Sequence, residues 1–305
     1  MKVLITSTSF ASSIGRHHEM LNRPDLEVVL KDGPLNDEQL KEIHFDFDGI
    51  ICGDDDWNKS NLLRAKAGGL KVLSKYGIGL DKVDVEFARS NGILVTNTPG
   101  VNSDAVAEHV LALILCYEKN LFEVYKHTKS GKWQRPIGTE IFSKTIGIVG
   151  FGSIGKKVAI KFKALGLNIL IYDPFVKGQD FKEFIFVNDL YELGEECDYV
   201  SLNVVLNTNT MGLIDQNFFK KCKKTPILIN TARAGIVNEQ DLISALNGGL
   251  LRAYLTDVLD NEPMEIGDKL WRQENVWISS HIGSRNSETI ERQGMAAVQN
   301  LLSSL

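Results

Sequence analysis

Short β-branched runs alternate with helical stretches along almost the whole chain. Each run ends at a Gly, Asn or Asp residue, and residues with helical spacing follow it. Strands that alternate with helices in this way are typical of βαβ units, in which the strands are parallel. In the first third, the pattern predicts strands at 2–6, 26–30, 49–52, 70–74 and 93–96 and helices near 36–43, 62–67 and 83–89. The sequence therefore predicts an α/β fold that begins with a small doubly wound unit.

A longer helical pattern follows at residues 102–120. Val106, Val110, Leu113 and Tyr117 recur at i, i+4, i+7 and i+11, which puts them on one face of a helix. A second series of strands comes next, at 145–149, 168–172, 199–204, 227–230, 253–257 and 276–279. Six strands are the number in a complete dinucleotide-binding fold.

The last helical stretch, residues 284–301, is too short to form a domain of its own. We expect it to return to the first unit. The chain is thus predicted to contain a discontinuous domain of residues 1–99 and 284–305, with a second domain of residues 100–283 inserted between its two parts. The chain ends directly after this helix, and we therefore expect no C-terminal regulatory domain.

Composition narrows the class of protein. The 305 residues are 43% hydrophobic and 24% charged, which is typical of globular chains and excludes disorder, collagen and coiled coil. A net charge of −5 without a Lys/Arg run disfavours nucleic acids and anionic membranes as partners. The longest apolar stretch, 110–117, is far shorter than the ~20 residues of a membrane span. Because the first residues also lack a signal-peptide core, we expect a cytoplasmic protein.

The cysteines predict neither disulfides nor a metal site. Cys52, Cys116, Cys197 and Cys222 are widely separated and never form a Cys-x-x-Cys pair. We expect them to be buried free thiols.

A glycine-rich turn joins the strand predicted at 145–149 to a helix at 156–164. Its sequence is Gly150-Phe151-Gly152-Ser153-Ile154-Gly155. In this setting the first glycine permits a tight turn, the second lets the backbone approach a pyrophosphate, and the third lets the helix pack closely on the strand. The helix N-terminus presents N–H groups to the phosphates. The pattern predicts dinucleotide contacts at Gly150, Gly152, Ser153, Ile154 and Gly155.

An acidic residue follows the next predicted strand. Asp173 lies 18 residues after Gly155, near the ~20 expected of a ribose-binding carboxylate. A carboxylate accepts hydrogen bonds from a free 2′-hydroxyl and repels a 2′-phosphate. The sequence therefore predicts NAD rather than NADP as the cofactor, although Lys177 nearby weakens the discrimination.

Ionisable residues also follow later strands, among small or apolar neighbours. Arg233 lies in segment 230–235, Glu262 in 257–263 and His281 in 279–283. The carboxyl ends of strands in a doubly wound sheet line one crevice, so we expect the three side chains to converge beside a nicotinamide. Such a group suits hydride transfer.

Taken together, these segments resemble those of the D-isomer-specific 2-hydroxyacid dehydrogenases, and most closely those of the phosphoglycerate dehydrogenase branch. The resemblance covers nearly the whole chain and rests on the glycine turn and on Lys75-Tyr76-Gly77-Ile78-Gly79-Leu80-Asp81, Asn97-Thr98-Pro99-Gly100, Gly131-Lys132-Trp133, Asn230-Thr231-Ala232-Arg233 and His281-Ile282-Gly283. It implies two doubly wound parallel-sheet domains, a Rossmann NAD-binding domain inserted into a flavodoxin-like substrate domain. It also implies a homodimer formed through the NAD-binding domain, with Trp133 and Arg135 at a subunit contact; exposed helical residues are the simpler alternative for these two.

The resemblance assigns roles to individual residues. Arg233, Glu262 and His281 match the catalytic residues of the family. Further cofactor contacts fall on Thr231, Ala232, Asp257, His281 and Gly283. Substrate contacts fall on Lys75, Tyr76, Gly77, Ile78, Arg233 and His281, where the backbone N–H groups of Tyr76, Gly77 and Ile78 would form a second contact for the substrate carboxylate.

The implied reaction transfers a hydride between the nicotinamide and C2 of a 2-keto or 2-hydroxy acid. Negative charge grows on the carbonyl oxygen during reduction, and His281 can donate the proton that this oxygen needs. A carboxylate favours the imidazolium and holds its ring, and Glu262 is the candidate partner. Arg233 offers a planar fork to the substrate carboxylate and can polarise the ketone. The remaining residues His17, His18, His44, His109 and His127 are expected to be ordinary surface or core histidines.

The substrate side chain stays open at this point. Asp54, Asp55 and Asp56 follow the strand predicted at 49–52 and would repel a phosphate if they faced it, while Lys75 is the one basic candidate nearby. Both 3-phosphoglycerate and related small acids therefore remain candidates. An NAD(H)-sensing binding protein, similar to the corepressors that share this fold, is the alternative to an enzyme.

Overall fold

The computed structural model describes residues 1–305 and divides into two compact units. Unit 1 consists of Met1–Asn102 and Ser284–Leu305, and unit 2 of Ser103–Gly283. The first division thus falls after residue 102 rather than after residue 99, because residues 99–102 form a turn that leads into the following helix.

Unit 1 is built on a parallel five-stranded sheet. Its strands are β1 (Lys2–Ile5), β2 (Glu27–Leu30), β3 (Gly49–Cys52), β4 (Val72–Lys75) and β5 (Leu94–Thr96), arranged in the order β2-β1-β3-β4-β5. This order is flavodoxin-like, as expected. Its first helices are α1 (Thr8–Ala11), α2 (Arg16–Glu19), α3 (Asp37–Lys41), α4 (Lys59–Ala67) and α5 (Val85–Ser90). The pattern missed α1 and α2 because a helix of four residues is too short to show a period.

A buried carboxylate ties the loops of unit 1 together after β3. Asp55 is fully buried and accepts hydrogen bonds from the Leu35 N–H at 2.6 Å, the Gly53 N–H at 3.1 Å and the Thr6 hydroxyl. Burial raises the pKa of Asp55, although the Thr6 and Leu35 bonds oppose that shift. This carboxylate therefore organises the backbone rather than facing a ligand.

Unit 2 begins with two helices, α6 (Ser103–Glu118) and α7 (Leu121–Lys129). They precede a parallel sheet of β6 (Thr145–Val149), β7 (Asn168–Tyr172), β8 (Ile185–Phe186), β9 (Tyr199–Leu202), β10 (Ile227–Asn230), β11 (Ala253–Thr256) and β12 (Val276–Ile278). Its order is β12-β11-β10-β9-β6-β7-β8. The sheet thus has seven strands rather than the predicted six. The edge strand β8 has two residues, too few to give a pattern in the sequence.

Helices cover the strands of unit 2, and one more helix completes unit 1. The helices of unit 2 are α8 (Ser153–Ala164), α9 (Tyr191–Glu196), α10 (Gln216–Phe219) and α11 (Glu239–Asn247). The last helix, α12 (Ser287–Leu302), packs on β3 and β4 of unit 1, where the Ser74 hydroxyl donates to the Ala297 carbonyl at 2.9 Å. None of these helices has both the length and the apolar character needed to cross a bilayer.

Helix α6 is firmly attached to the sheet of unit 2. Val110 and Ile114 are fully buried, and the helix packs on α8. At its C-terminal end the buried Glu118 carboxylate accepts a hydrogen bond of 2.5 Å from the Tyr199 hydroxyl of β9 and pairs with Arg252, just before β11. Because a buried carboxylate needs such partners, these contacts fix the position of α6 along the sheet.

The strands of unit 2 end in register. Tyr172, Val149, Leu202, Asn230, Thr256 and Ile278 are successive partners across six neighbouring strands. The next residue of each strand therefore lies at one edge of the sheet; these are Asp173, Gly150, Asn203, Thr231, Asp257 and Ser279. We call this row the carboxyl edge of unit 2.

Replacement of Asp55 by Ala should destabilise the protein, because it leaves N–H groups without acceptors in the interior. At about 1–3 kcal/mol for each buried donor left unsatisfied, the free energy of unfolding should fall by roughly 2–5 kcal/mol. Urea denaturation followed by circular dichroism measures the change. Asp56→Ala is the matched control, since this half-exposed neighbour pairs only with Lys82 at 3.4 Å and should cost less than about 1 kcal/mol. Equal losses in the two variants would contradict the structural role of Asp55.

Candidate active site

The glycine turn lies where β6 passes into α8. Gly150 has a φ of +90°, and a Cβ atom there would lie 2.7 Å from the Asn203 carbonyl oxygen. A Cβ atom on Gly155 would lie 2.0 Å from the Gly150 carbonyl oxygen. Both positions therefore need glycine, the first for the turn and the second for close packing of the helix on the strand.

Gly152 differs from these two glycines because nothing in the protein fills the space beside it. It occupies the N-cap position of α8, and a Cβ atom there would meet no atom within 4 Å. No side chain caps the helix, so the N–H groups at Ser153 and Ile154 and the positive end of the helix dipole can meet an anion. An uncapped helix start beside open space fits the pyrophosphate of a dinucleotide.

Asp173 lies beside the glycine turn. Its carboxylate accepts hydrogen bonds from the Phe151 N–H at 2.7 Å and the Phe175 N–H at 2.9 Å. The first bond joins the end of β7 to the turn itself. This arrangement suits a carboxylate that receives the ribose hydroxyls of a nucleotide whose phosphates lie at Gly152.

His281 and Glu262 form a pair near the other end of the carboxyl edge. His281 Nδ1 lies 2.7 Å from Glu262 Oε2, and both side chains are about one-third exposed. The other carboxylate oxygen accepts a hydrogen bond of 2.9 Å from the Leu259 N–H, which fixes the orientation of the carboxylate. The predicted pairing of these two residues is thus present in the geometry.

Arg233 lies in the loop that follows β10. The buried Asn230 shapes this loop, since its side chain accepts from the Ala232 N–H at 3.0 Å and donates to the Arg233 carbonyl at 2.9 Å. Thr231 begins the loop at the carboxyl edge, and Arg233 Nη1 donates to the Ala232 carbonyl at 2.8 Å. Sequence reasoning quoted Asn230 within a motif but gave it no role; a polar residue at the end of an apolar strand was the available signal.

Asp257 and Gly283 lie together beyond β11. Asp257 is almost fully buried and accepts from the Ser279 hydroxyl at 2.5 Å and the N–H groups of Ile282 and Gly283 at 3.0 and 2.7 Å. His109 joins the group from α6, with Nε2 3.0 Å from Ser279 Oγ. The sequence predicted an ordinary surface or core histidine at position 109 and did not reveal this contact with Ser279. The signal available in the sequence was a lone imidazole inside an apolar helix.

Residues 75–78 of unit 1 differ in part from expectation. The Tyr76 N–H donates to the Cys52 carbonyl at 2.8 Å, and the Gly77 N–H donates to the Thr98 hydroxyl at 3.1 Å. The predicted carboxylate contact through all three N–H groups is thus corrected, because two of them serve the parallel sheet and its neighbouring loop. Ile78 alone retains its N–H as a candidate contact.

The charges of unit 1 also differ from expectation. Lys75 is buried, and its ammonium donates to Asp54 at 2.5 Å and to the Gly53 carbonyl at 2.6 Å. Asp55 faces the interior, and Asp56 pairs with Lys82. The three aspartates thus do not form one acidic surface, and the charge of Lys75 is already compensated.

The remaining predictions concern the four cysteines and the segment that contains Trp133 and Arg135. Cys52, Cys197 and Cys222 are buried free thiols, while Cys116 is only half-buried. Trp133 and Arg135 lie in an extended segment rather than in a helix, so the alternative of exposed helical residues was wrong. Trp133 is 86% exposed.

Fold and geometry together define a dinucleotide-binding protein with a hydrogen-bonded histidine–glutamate pair near the carboxyl edge of its larger sheet. Comparison with known proteins gives the family. The profile of the D-isomer specific 2-hydroxyacid dehydrogenase NAD-binding domain matches residues 111–283, more than half of the chain. The chain belongs to this family.

Relatives of the chain differ in the acid that their names specify. The chain is 36% identical over 285 residues to a glyoxylate reductase of Thermofilum pendens, covering 90% of this chain and 83% of the relative. It is 33% identical to a hydroxypyruvate reductase of Thermotoga maritima, covering 94% and 93%. It is 31% identical to a D-3-phosphoglycerate dehydrogenase of Archaeoglobus fulgidus, covering 99% of this chain but 57% of that longer relative.

Solved structures agree with the family. A protein of Thermus thermophilus superposes with a TM-score of 0.88 at 34% identity, over 100% of this chain and 96% of the other. The NAD+-bound 3-phosphoglycerate dehydrogenase of Entamoeba histolytica superposes with a TM-score of 0.82 at 27% identity, over 98% and 93%. NAD(H) is the cofactor of the chain, and the open space at Gly152 fits it.

Replacement of Asp173 by Ala should narrow the preference for NAD over NADP. The carboxylate repels a 2′-phosphate and accepts from a 2′-hydroxyl, so its loss should weaken NADH binding and relieve the penalty on NADPH. Fluorescence titration with both dinucleotides measures the ratio of dissociation constants, which we expect to change by about 10-fold or more. Asp180→Ala, on the 3-10 helix Gly178–Asp180, is the control. An unaltered ratio in Asp173→Ala would show that this carboxylate does not contact the ribose.

Proposed function

We propose that the chain reduces a small 2-keto acid to the D-2-hydroxy acid with NADH, and catalyses the reverse oxidation with NAD+. The observation that carries this proposal is the His281–Glu262 pair, with 2.7 Å between Nδ1 and Oε2. It lies in the same unit as the glycine turn and Asp173. A dinucleotide site and an acid–base pair are the two parts that such a reaction needs.

His281 exchanges the proton. Glu262 occupies Nδ1 at 2.7 Å, so we assign the proton transfer to Nε2. In the reductive direction, the bound cofactor supplies a hydride to C2. The π bond of the carbonyl breaks, and the oxygen takes the proton from His281, which leaves a hydroxyl group and a neutral imidazole. The reverse reaction returns the proton to the same nitrogen.

Arg233 binds the substrate carboxylate. A guanidinium can donate two parallel hydrogen bonds to a carboxylate, which fixes the plane of the acid as well as its position. The hydrogen bonds of Asn230 support this role, because they hold the loop that carries Arg233. Within unit 1, we propose the Ile78 N–H as a separate candidate contact for a carboxylate.

The substrate class that we favour is an unphosphorylated acid of two or three carbons. Within unit 1, two lysines are already paired, since Asp54 compensates Lys75 at 2.5 Å and Asp56 lies 3.4 Å from Lys82. A phosphate dianion needs cations that are not already compensated. The names of the Thermofilum and Thermotoga relatives agree with this class, whereas the Archaeoglobus relative makes the phosphorylated acid the competing candidate.

We further propose a homodimer formed through unit 2. Exposed apolar side chains on α7 and in the extended segment after it support this assembly, with Trp133 86% and Ile137 97% exposed and Phe122 and Tyr125 also largely exposed. A group of large apolar side chains of this kind is uncommon on a monomer and is typical of an interface.

Activity with a panel of 2-keto acids tests the proposed reaction. We expect oxidation of NADH, followed at 340 nm, with glyoxylate or hydroxypyruvate, and a higher kcat/KM for hydroxypyruvate than for 3-phosphohydroxypyruvate, which differs from it only by the phosphate. His281→Ala should lower kcat by about 10²–10⁴-fold and leave NADH binding nearly unchanged. His44→Ala, an exposed histidine of unit 1, is the control.

Each contrary result has its own meaning. No turnover with any acid, together with intact NADH binding, would overturn the reaction and favour the NAD(H)-sensing alternative. A preference for the phosphorylated acid would overturn only the substrate class. Full activity in His281→Ala would remove His281 from the mechanism.

Light scattering after size exclusion tests the homodimer. The wild type should have twice the mass of the chain, and the double variant Trp133→Asp/Ile137→Asp should be a monomer because it places charges in an apolar interface. The exposed apolar residue Ile266 lies outside this segment, so Ile266→Asp is a matched control that should stay dimeric. A monomeric wild type would contradict the proposal.

A further inference from the structure

His109 belongs to a directed chain of hydrogen bonds in unit 2. Its Nε2 atom lies 3.0 Å from Ser279 Oγ and 3.4 Å from Asp257 Oδ1. The Ser279 hydroxyl donates to Asp257 Oδ1 at 2.5 Å. Since that hydroxyl uses its proton on Asp257, it accepts the proton of His109 Nε2. Histidine thus donates to serine, and serine donates to the carboxylate.

The same carboxylate holds the backbone on both sides of His281. Asp257 binds Ser279 before it, and accepts from the N–H groups of Ile282 and Gly283 after it, at 3.0 and 2.7 Å. His281 itself has a φ of +55°. Non-glycine residues adopt this left-handed region uncommonly, and they stay there only where the surroundings hold them. The bonds to Asp257 help to hold this segment, together with the bond of 2.9 Å from the Ser279 N–H to the Thr256 carbonyl.

Asp257 is well suited to accept these bonds. Burial alone would raise its pKa, but the nearby His109 ring, the Ser279 hydroxyl and the Ile282 N–H lower the pKa of Asp257 below its usual value. The carboxylate is therefore ionised at neutral pH and can accept from all its donors.

The segment packs closely against Asp257 and His109 at Gly283. A Cβ atom on Gly283 would lie 2.9 Å from Asp257 Oδ2 and 3.4 Å from Cδ2 of His109. The imidazole thus closes one side of the space in which residues 279–283 turn. His109 is itself fixed, because α6 is attached to the sheet through the buried Glu118.

We propose that His109 is a positioning residue for the reaction. Through Ser279 and Asp257 it keeps His281 in the backbone conformation that meets Glu262. This inference rests on the proposed function, in which His281 exchanges the proton. The property of His109 that matters is a hydrogen-bond donor at the position of Nε2, not its charge.

Paired substitutions at position 109 separate this role from a general structural one. His109→Phe keeps a ring of similar size and removes the donor, whereas His109→Gln returns an N–H donor on a side chain of similar reach. For each variant we would measure the melting temperature, kcat and KM with NADH and the fastest keto acid of the panel, and the dissociation constant of NADH. Amide exchange at Ile282 and Gly283, followed by NMR, reports the segment directly. His44→Phe is the control.

The expected result is a loss of kcat in His109→Phe of about 10–100-fold, the size that a small misplacement of a catalytic group causes. KM and the NADH dissociation constant should change by less than about threefold. Exchange at Ile282 and Gly283 should become faster, and His109→Gln should restore most of both kcat and protection.

Other results overturn the inference in distinguishable ways. Unchanged kcat in His109→Phe, with an active wild type, would overturn the role of His109 and leave the proposed function intact. Equal losses in the Phe and Gln variants with a lowered melting temperature would show a purely structural residue. A wild type inactive with every acid would overturn the proposed function and the catalytic role of His109 with it.

Discussion

The parallel register of the larger sheet is the constraint on which the site depends. Six neighbouring strands end on partnered residues from Tyr172 to Ile278, and each following residue emerges at the same edge. The ribose-binding candidate Asp173, the turn at Gly150, the loop to Arg233 and the buried Asp257 therefore begin side by side, although the chain between the first and the last of them spans most of unit 2. Backbone hydrogen bonds thus do most of the work of assembling a site from distant segments.

Two features of the loops beyond the strands then position the groups at this edge. On the cofactor side, the absence of side chains shapes the site. Glycine lets backbone atoms approach each other at residues 150 and 155 and leaves open space at residue 152. On the side of the His281–Glu262 pair, the buried carboxylate of Asp257 shapes the site. Asp257 gathers donors from both sides of His281, and Glu262 then fixes the imidazole through Nδ1. Both features position groups before any substrate arrives, which is what catalysis by prearranged groups requires.

Local patterns in the sequence were sufficient for the α/β class, most of the strands and the glycine turn, because period, branching and glycine spacing act over a few residues. The flavodoxin-like and Rossmann types of the two domains followed from the family resemblance instead. They could not reveal contacts between distant residues. His109 meets Ser279 across 170 positions, and no local signal records that pairing. Asp55 shows the same limit in the other direction: three consecutive aspartates look like one acidic surface, yet the middle one is buried under loops that lie 20 and 49 residues away along the chain. The strand β8 was not predicted, because a strand of two residues is too short to show an alternating pattern.

The central claim is that a hydride passes between the nicotinamide and C2 of a 2-keto acid at the site that His281 completes. Incubation of hydroxypyruvate, whose product has a stereocentre at C2, with NADH deuterated at the transferable position of C4, followed by mass spectrometry and chiral analysis of the product, tests it most directly. The account predicts one deuterium bonded to C2 of a D-2-hydroxy acid and none in the solvent. A product without deuterium at C2, or of L configuration, would contradict it.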